Sequence, residues 1–158
     1  MMLRSVQLLA IALAGCSGGD ENMGSAGDAA AAMFVPCPES TPSFELGLTA
    51  TGDADHIRAV LRDAAPLPAK KYANDWTLEL TDSHGRALGD AQITQLETFM
   101  PVHGHYGRPP AEWDALDGTG KLHAEVHFTM RGPWEVRIEA NSESAGADHI
   151  VFELCVQE

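Results

Sequence analysis

The sequence predicts an all-β domain, an immunoglobulin-like antiparallel β-sandwich of six or seven strands, on three observations. Apolar residues after position 34 recur mostly with period two. The alternating runs are short, and Gly, Pro, Asn and Asp break them at intervals of about 8 to 12 residues, which is the spacing of sandwich strands and their turns.

Taken in order, Phe44-Glu45-Leu46-Gly47-Leu48 alternates and is expected as the first strand. His56 to Ala65 is ambiguous. Ile57, Val60 and Leu61 fit a helical stripe, but Pro66 and Pro68 follow at once, and a strand suits the surrounding pattern better. Trp76 to Thr81 alternates, and Asp82-Ser83-His84-Gly85 reads as a turn. Ala91 to Phe99 is the next strand, although Leu96 breaks the face set by Ile93 and Phe99. Leu122, Ala124, Val126, Phe128 and Met130 share one inward face, and Arg131-Gly132-Pro133 turns into Trp134 to Ala140. The last strand runs from about Asp148 to Val156. Trp76 and Trp134 are assigned to the core, where each indole nitrogen needs a partner.

Ahead of this domain the chain changes character. Residues 1–15 have the form of a signal peptide, with Arg4 followed by an apolar run from Val6 to Ala14 too short to span a bilayer. Leu13-Ala14-Gly15-Cys16 resembles the lipobox of bacterial lipoproteins, which implies cleavage before Cys16 and acylation of that residue. Several acyl chains on one residue exceed the threshold for stable membrane anchoring. Residues 16–33 are mostly small and polar and cannot bury enough surface to offset their ordering entropy, so they read as a tether to a domain at 34–158.

The three cysteines support that arrangement. An acylated Cys16 leaves Cys37 and Cys155 either to pair, as an oxidising compartment favours, or to stand as buried free thiols. A bridge would close a loop of roughly 120 residues and stabilise the fold by about 4–5 kcal/mol in the chain-entropy model. The chain carries a net charge of −13, and losing Arg4 with the signal makes it one unit more negative. Such acidity argues against nucleic acid and against anionic membrane surfaces as partners.

Chemistry concentrates in Met100-Pro101-Val102-His103-Gly104-His105 and in Met130 at the end of the following strand. Pro101 ends a strand because it lacks an N–H, and Gly104 lets two histidines turn toward one point. Thioethers favour Cu(I) and imidazole accepts copper or zinc, so a mixed Met/His set outside the cytoplasm points first to copper. Against this stand ordinary roles, Met100 and Met130 as core filling and His103 and His105 as solvated loop residues. His123, Glu125 and His127 alternate with the inward set and are expected on the exposed face. There His123 and His127 lie roughly 13 Å apart, too far to share an ion directly. Glu112 and Asp114 flank Trp113 in an expected loop and read as solvated acids. No nucleophile elbow, phosphate loop, Cys-x-x-Cys pair or His-Glu-x-x-His helix is present, and no enzyme activity is expected.

Residues Trp76 to Ala140 resemble the YtkA-like domain, itself related in pattern to FixH-type proteins. The resemblance is carried by Leu80-Thr81-Asp82, Gly85-Arg86-Ala87-Leu88, Met100 to His105, and Phe128-Thr129-Met130-Arg131-Gly132-Pro133-Trp134. It implies a small extracytoplasmic β-sandwich associated with copper handling or cytochrome oxidase assembly, with a metal-receiving protein as partner. It further implies Met100, His103, His105 and Met130 as the clustered ligands. The competing expectation is an immunoglobulin-like structural or interaction module of the cell envelope, without metal, that makes contact near Tyr106 and Trp113.

Overall fold

The computed structural model describes residues 35–157. The readings made for residues 1–33, acylation of Cys16 among them, lie outside the described residues. Within them the chain forms β1 (Thr49–Thr51), β2 (Ile57–Ala65), β3 (Tyr72–Asp82), β4 (Gln92–Met100) and β5 (His105–Tyr106), then β6 (Glu112–Trp113), β7 (Lys121–Phe128), β8 (Gly132–Ser142) and β9 (Gly146–Val156). No helix occurs among the described residues.

Two antiparallel sheets have the strand orders β1-β2-β3-β7-β6 and β5-β4-β8-β9. Setting aside the short β1 and β5, these orders are A-B-E-D and C-F-G, the immunoglobulin arrangement. The defining pairings, β3 with β7 and β4 with β8, join strands far apart in sequence. The expected sandwich is therefore observed, carried by β2, β3, β4, β7, β8 and β9, with three strands of two or three residues added at its margins.

Alternation explains how the sheets meet. Leu78 and Leu80 of β3, Leu122 and Val126 of β7, Val136 and Ile138 of β8, and Ile150 and Leu154 of β9 all lie buried between the sheets. Trp76 and Trp134 are also buried, as expected, and Phe128 connects them at ring separations of 6.3 and 5.4 Å. The indole nitrogen of Trp134 has a partner, whereas that of Trp76 is buried without one.

Two sequence expectations need correction. Phe44 to Leu48 is a turn leading into β1, because the Gly47 N–H donates to the Leu61 carbonyl at 2.8 Å and the Leu48 N–H to the Glu45 carbonyl at 3.1 Å. Phe44 still reaches inward and lies 5.1 Å from the Trp76 ring. In β4 the register against β8 slips between Ile93 and Gln95. A bulge of this kind reverses the facing of everything beyond it. Leu96, Thr98 and Met100 consequently point inward, while Phe99 points outward beneath the Arg137 guanidinium, 3.9 Å from its ring.

Two long-range ties fix the margins. Cys37 and Cys155 form a disulfide that holds the N-terminal segment to β9 across 118 residues. At the other end of β9, the buried Asp148 carboxylate accepts backbone N–H bonds from Ala54, His56 and Ile57 at 2.9, 2.8 and 3.0 Å, and from His149 at 3.0 Å. Burial pushes this carboxyl's pKa up, but the N–H donors outweigh burial and hold it below the ordinary value. A depressed folded-state pKa adds stability that is complete above the ordinary value of 3.8 and is lost as pH falls through the folded value. Asp148→Asn should accordingly cost about 2–4 kcal/mol in urea unfolding at neutral pH. The gap between wild type and variant should close as the pH drops below that ordinary value; parallel stability curves down to acid would exclude the carboxylate as the anchor.

Candidate functional site

The Met/His segment begins where β4 ends. Pro101 interrupts the ladder, and the N–H groups of His103 and Gly104 both donate to the Met100 carbonyl, at 3.2 and 2.9 Å. Gly104 takes φ +64°, and the chain reverses into β5, with His105 opposite Met100 and Tyr106 opposite Phe99. Directly opposed residues share a sheet face. His105 therefore points to the side on which Met100 enters the core.

There the Nε2 of His105 lies 3.3 Å from the Met130 sulfur, and its Nδ1 lies 3.3 Å from the Tyr106 carbonyl oxygen. The His103 ring stands 5.9 Å away at an interplanar angle of 16°. The Trp134 ring meets His105 edge-on at 5.6 Å. Met130 sits two residues past β7, half-buried, and its carbonyl accepts the Trp134 indole N–H at 3.0 Å. The fold thus gathers His103, His105 and Met130 at one rim. Met100, on the same sheet face, is fully buried, with its methyl end against Gly132. Among the described residues no three His, Cys, Asp or Glu side chains converge on a point, and the potential donors gathered at this rim are two imidazoles and one thioether.

Farther from the rim, His123 and Glu125 face solvent as expected, but His127 does not. It is 7% exposed, its Nε2 is 3.2 Å from Glu125 Oε1, and its Nδ1 is buried without a partner. The cause is tertiary. The segment expected as a loop forms β6, which pairs with β7 through Glu112 opposite Glu125 and Trp113 opposite Ala124, so the chain entering β6 runs alongside His127. Glu112 and Asp114 accordingly flank an edge strand. Tyr106 and Trp113 remain substantially exposed and border a groove of about 430 Å³ with Leu96, Arg108 and Pro110.

Gly107 stitches these regions together. Its N–H donates to the Thr98 carbonyl at 2.9 Å, and the Thr98 hydroxyl donates across the sandwich to the His127 carbonyl at 2.8 Å. A Cβ on Gly107 would overlap both the His127 carbonyl oxygen and the Thr98 hydroxyl.

No family model, curated protein or solved structure matches this chain. The functional reading accordingly rests on donor geometry and on the sequence resemblance.

The Gly107 contacts generate a direct check. Gly107→Ala has to separate β4 from β7 and should lower stability by about 2–4 kcal/mol in chemical denaturation. A loss within about 0.5 kcal/mol, the range of ordinary surface substitutions, would show that the seam relaxes freely.

Proposed function

We propose that this chain is an extracytoplasmic, lipid-anchored copper-binding accessory protein that holds the metal for delivery to a receiving protein, with cytochrome oxidase assembly as the setting implied by the resemblance. The observation that carries the reading is the 3.3 Å approach of His105 Nε2 to the Met130 sulfur, with the His103 ring alongside. Metal bonds of about 2.0–2.3 Å, typical of nitrogen and sulfur ligands, span a gap of that size. The Tyr106 carbonyl supports the same role, because it can hold the proton on His105 Nδ1 and leave Nε2 free for the ion. Thioether and imidazole together favour Cu(I), the copper here being cargo. Trp134 stands edge-on against His105 on the inner side of the rim and is itself backed by Phe128. Met100 remains a core side chain in this reading, a narrower donor set than the sequence suggested.

A second reading, an envelope interaction module without metal, draws support from the groove bordered by Tyr106 and Trp113. Aromatic side chains of this kind are enriched at binding surfaces.

The full chain competed against a chromophoric Cu(I) chelator should hold about one equivalent, following soft-ligand preference. His105→Ala and Met130→Leu should each weaken binding roughly tenfold or more, about 1.4 kcal/mol, while Met100→Leu leaves it near the wild-type value. Equal copper retention by wild type and both rim variants would reject the reading. Capture of an envelope protein that depends on Tyr106 and Trp113 but not on copper would favour the second.

A further inference from the structure

The flank of the sandwich between β4 and β6 is open in a way the rim does not explain. β5 covers only Phe99 and Met100 of the nine-residue β4, so from Gln92 to Glu97 this strand is paired on its β8 side alone. On the other sheet the outermost strand here is β6, whose Trp113 stands opposite the buried Ala124. Directly opposed residues share a sheet face, so the Trp113 ring is turned toward the interior of the sandwich. It is nevertheless 37% exposed, and no described element closes the flank. Two cavities of about 430 and 550 Å³ meet at this ring, one running from Leu96 to Tyr106 and Pro110, the other from Asp90 to Ile93 and Leu116.

The backbone along this groove is short of partners. The Gly107 N–H donates to the Thr98 carbonyl and the Gly104 N–H to the Met100 carbonyl, each at 2.9 Å, so Thr98 and Met100 turn these groups away from β8. Bonding alternates along an antiparallel strand, and the register is regular from Gln95 to Phe99, so Leu96 turns its N–H and carbonyl the same way. Leu96 is 4% exposed, and among the described residues neither group is bonded across this edge. Buried backbone groups without partners are rare and call for a physical reason. The group that satisfies an N–H and a carbonyl at a strand edge is another extended chain. Charge defines its character, since Asp90, Glu97 and Asp114 line the two cavities against the single cation Arg108, on a chain of net charge −13.

We propose that a basic, extended segment of a partner protein adds to the β4 edge, bonds the N–H and carbonyl of Leu96, and lays its side chains against Trp113 and Tyr106. Main-chain bonds supply affinity in this mode, and the flanking side chains supply selection. The bulge between Ile93 and Gln95 limits the added pairing to a few residues, so the two aromatic rings are needed to hold the segment. The inference rests on the second reading above, for which it names the partner's chemistry, and is independent of copper.

The full chain titrated with a pool of seven-residue peptides, Lys or Arg alternating with apolar residues, should show hydrogen exchange of the Leu96 amide slowed at least tenfold. Trp113→Ala should weaken binding at least tenfold, and Met130→Leu should leave it unchanged. The same pool with Glu in place of the basic residues should bind at least tenfold more weakly, and N-methylation throughout the peptide backbone should abolish binding. If Trp113→Ala does not fold, Tyr106→Ala supplies the same readout. Failure of wild type to bind the basic pool at millimolar concentration, or binding that survives N-methylation, overturns strand addition; an envelope protein still captured through Tyr106 and Trp113 would then leave the second reading standing. Self-association of the free chain through β4, with Leu96 exchange already slow and restored by Trp113→Ala, overturns the proposal in favour of a second copy as the occupant.

Discussion

The tilted and edge-on packing of aromatic rings between the two sheets is the constraint on which the rest of the molecule depends. Phe44, Trp76, Phe128 and Trp134 follow one another through ring contacts of 5.1, 6.3 and 5.4 Å, and Phe152 meets Trp76 edge-on at 6.1 Å. Rings of this size bury about 150–250 Å² each, which corresponds to roughly 4–6 kcal/mol of transfer free energy per ring before entropy is subtracted. The same column reaches the rim, because Trp134 both touches His105 and holds the Met130 carbonyl. His105 and Met130 are thereby positioned by the core, whereas His103 stands in the exposed turn before β5.

Much of this was legible in the sequence because period two maps directly onto a sandwich. Leu122, Ala124, Val126 and Phe128 alternate in the chain and all face inward in the fold. Cysteine parity likewise pointed to the bond between Cys37 and Cys155. The misreadings share a different cause. A five-residue alternation at Phe44 carries no information about the turn that the Gly47 and Leu48 hydrogen bonds impose. The apparent fault at Leu96 was itself the trace of a bulge, and it assigned the wrong face to Phe99 because one inserted residue reverses the parity of all that follow.

At the candidate site, local sequence was informative only where the partners are local. The turn from Met100 to His105 could be anticipated from Pro101 and Gly104. The burial of His127 could not, since it depends on β6 returning from the far side of the loop to pair with β7. For the same reason the row of carboxylates on the outer sheet face was invisible in one dimension. Asp75, Glu112 and Glu125 are scattered through the chain and become neighbours only through the registers of two separate strand pairs. A cue was nevertheless present: Glu112, Asp114, His123, Glu125 and His127 are polar residues at alternate positions, which marks a single sheet face once both segments are known to be strands.

The acidic residues on the outer sheet face also bear on how firmly β6 is held. This strand contributes only Glu112 and Trp113 to the ladder, a length that provides little pairing energy of its own. Its one outward pair sets Glu112 against Glu125, and like charges directly opposite each other weaken a strand pairing. Physiological salt screens such a pair weakly, since the Debye length is about 8 Å. The closing strand beside His127 is thus opposed by its own charges.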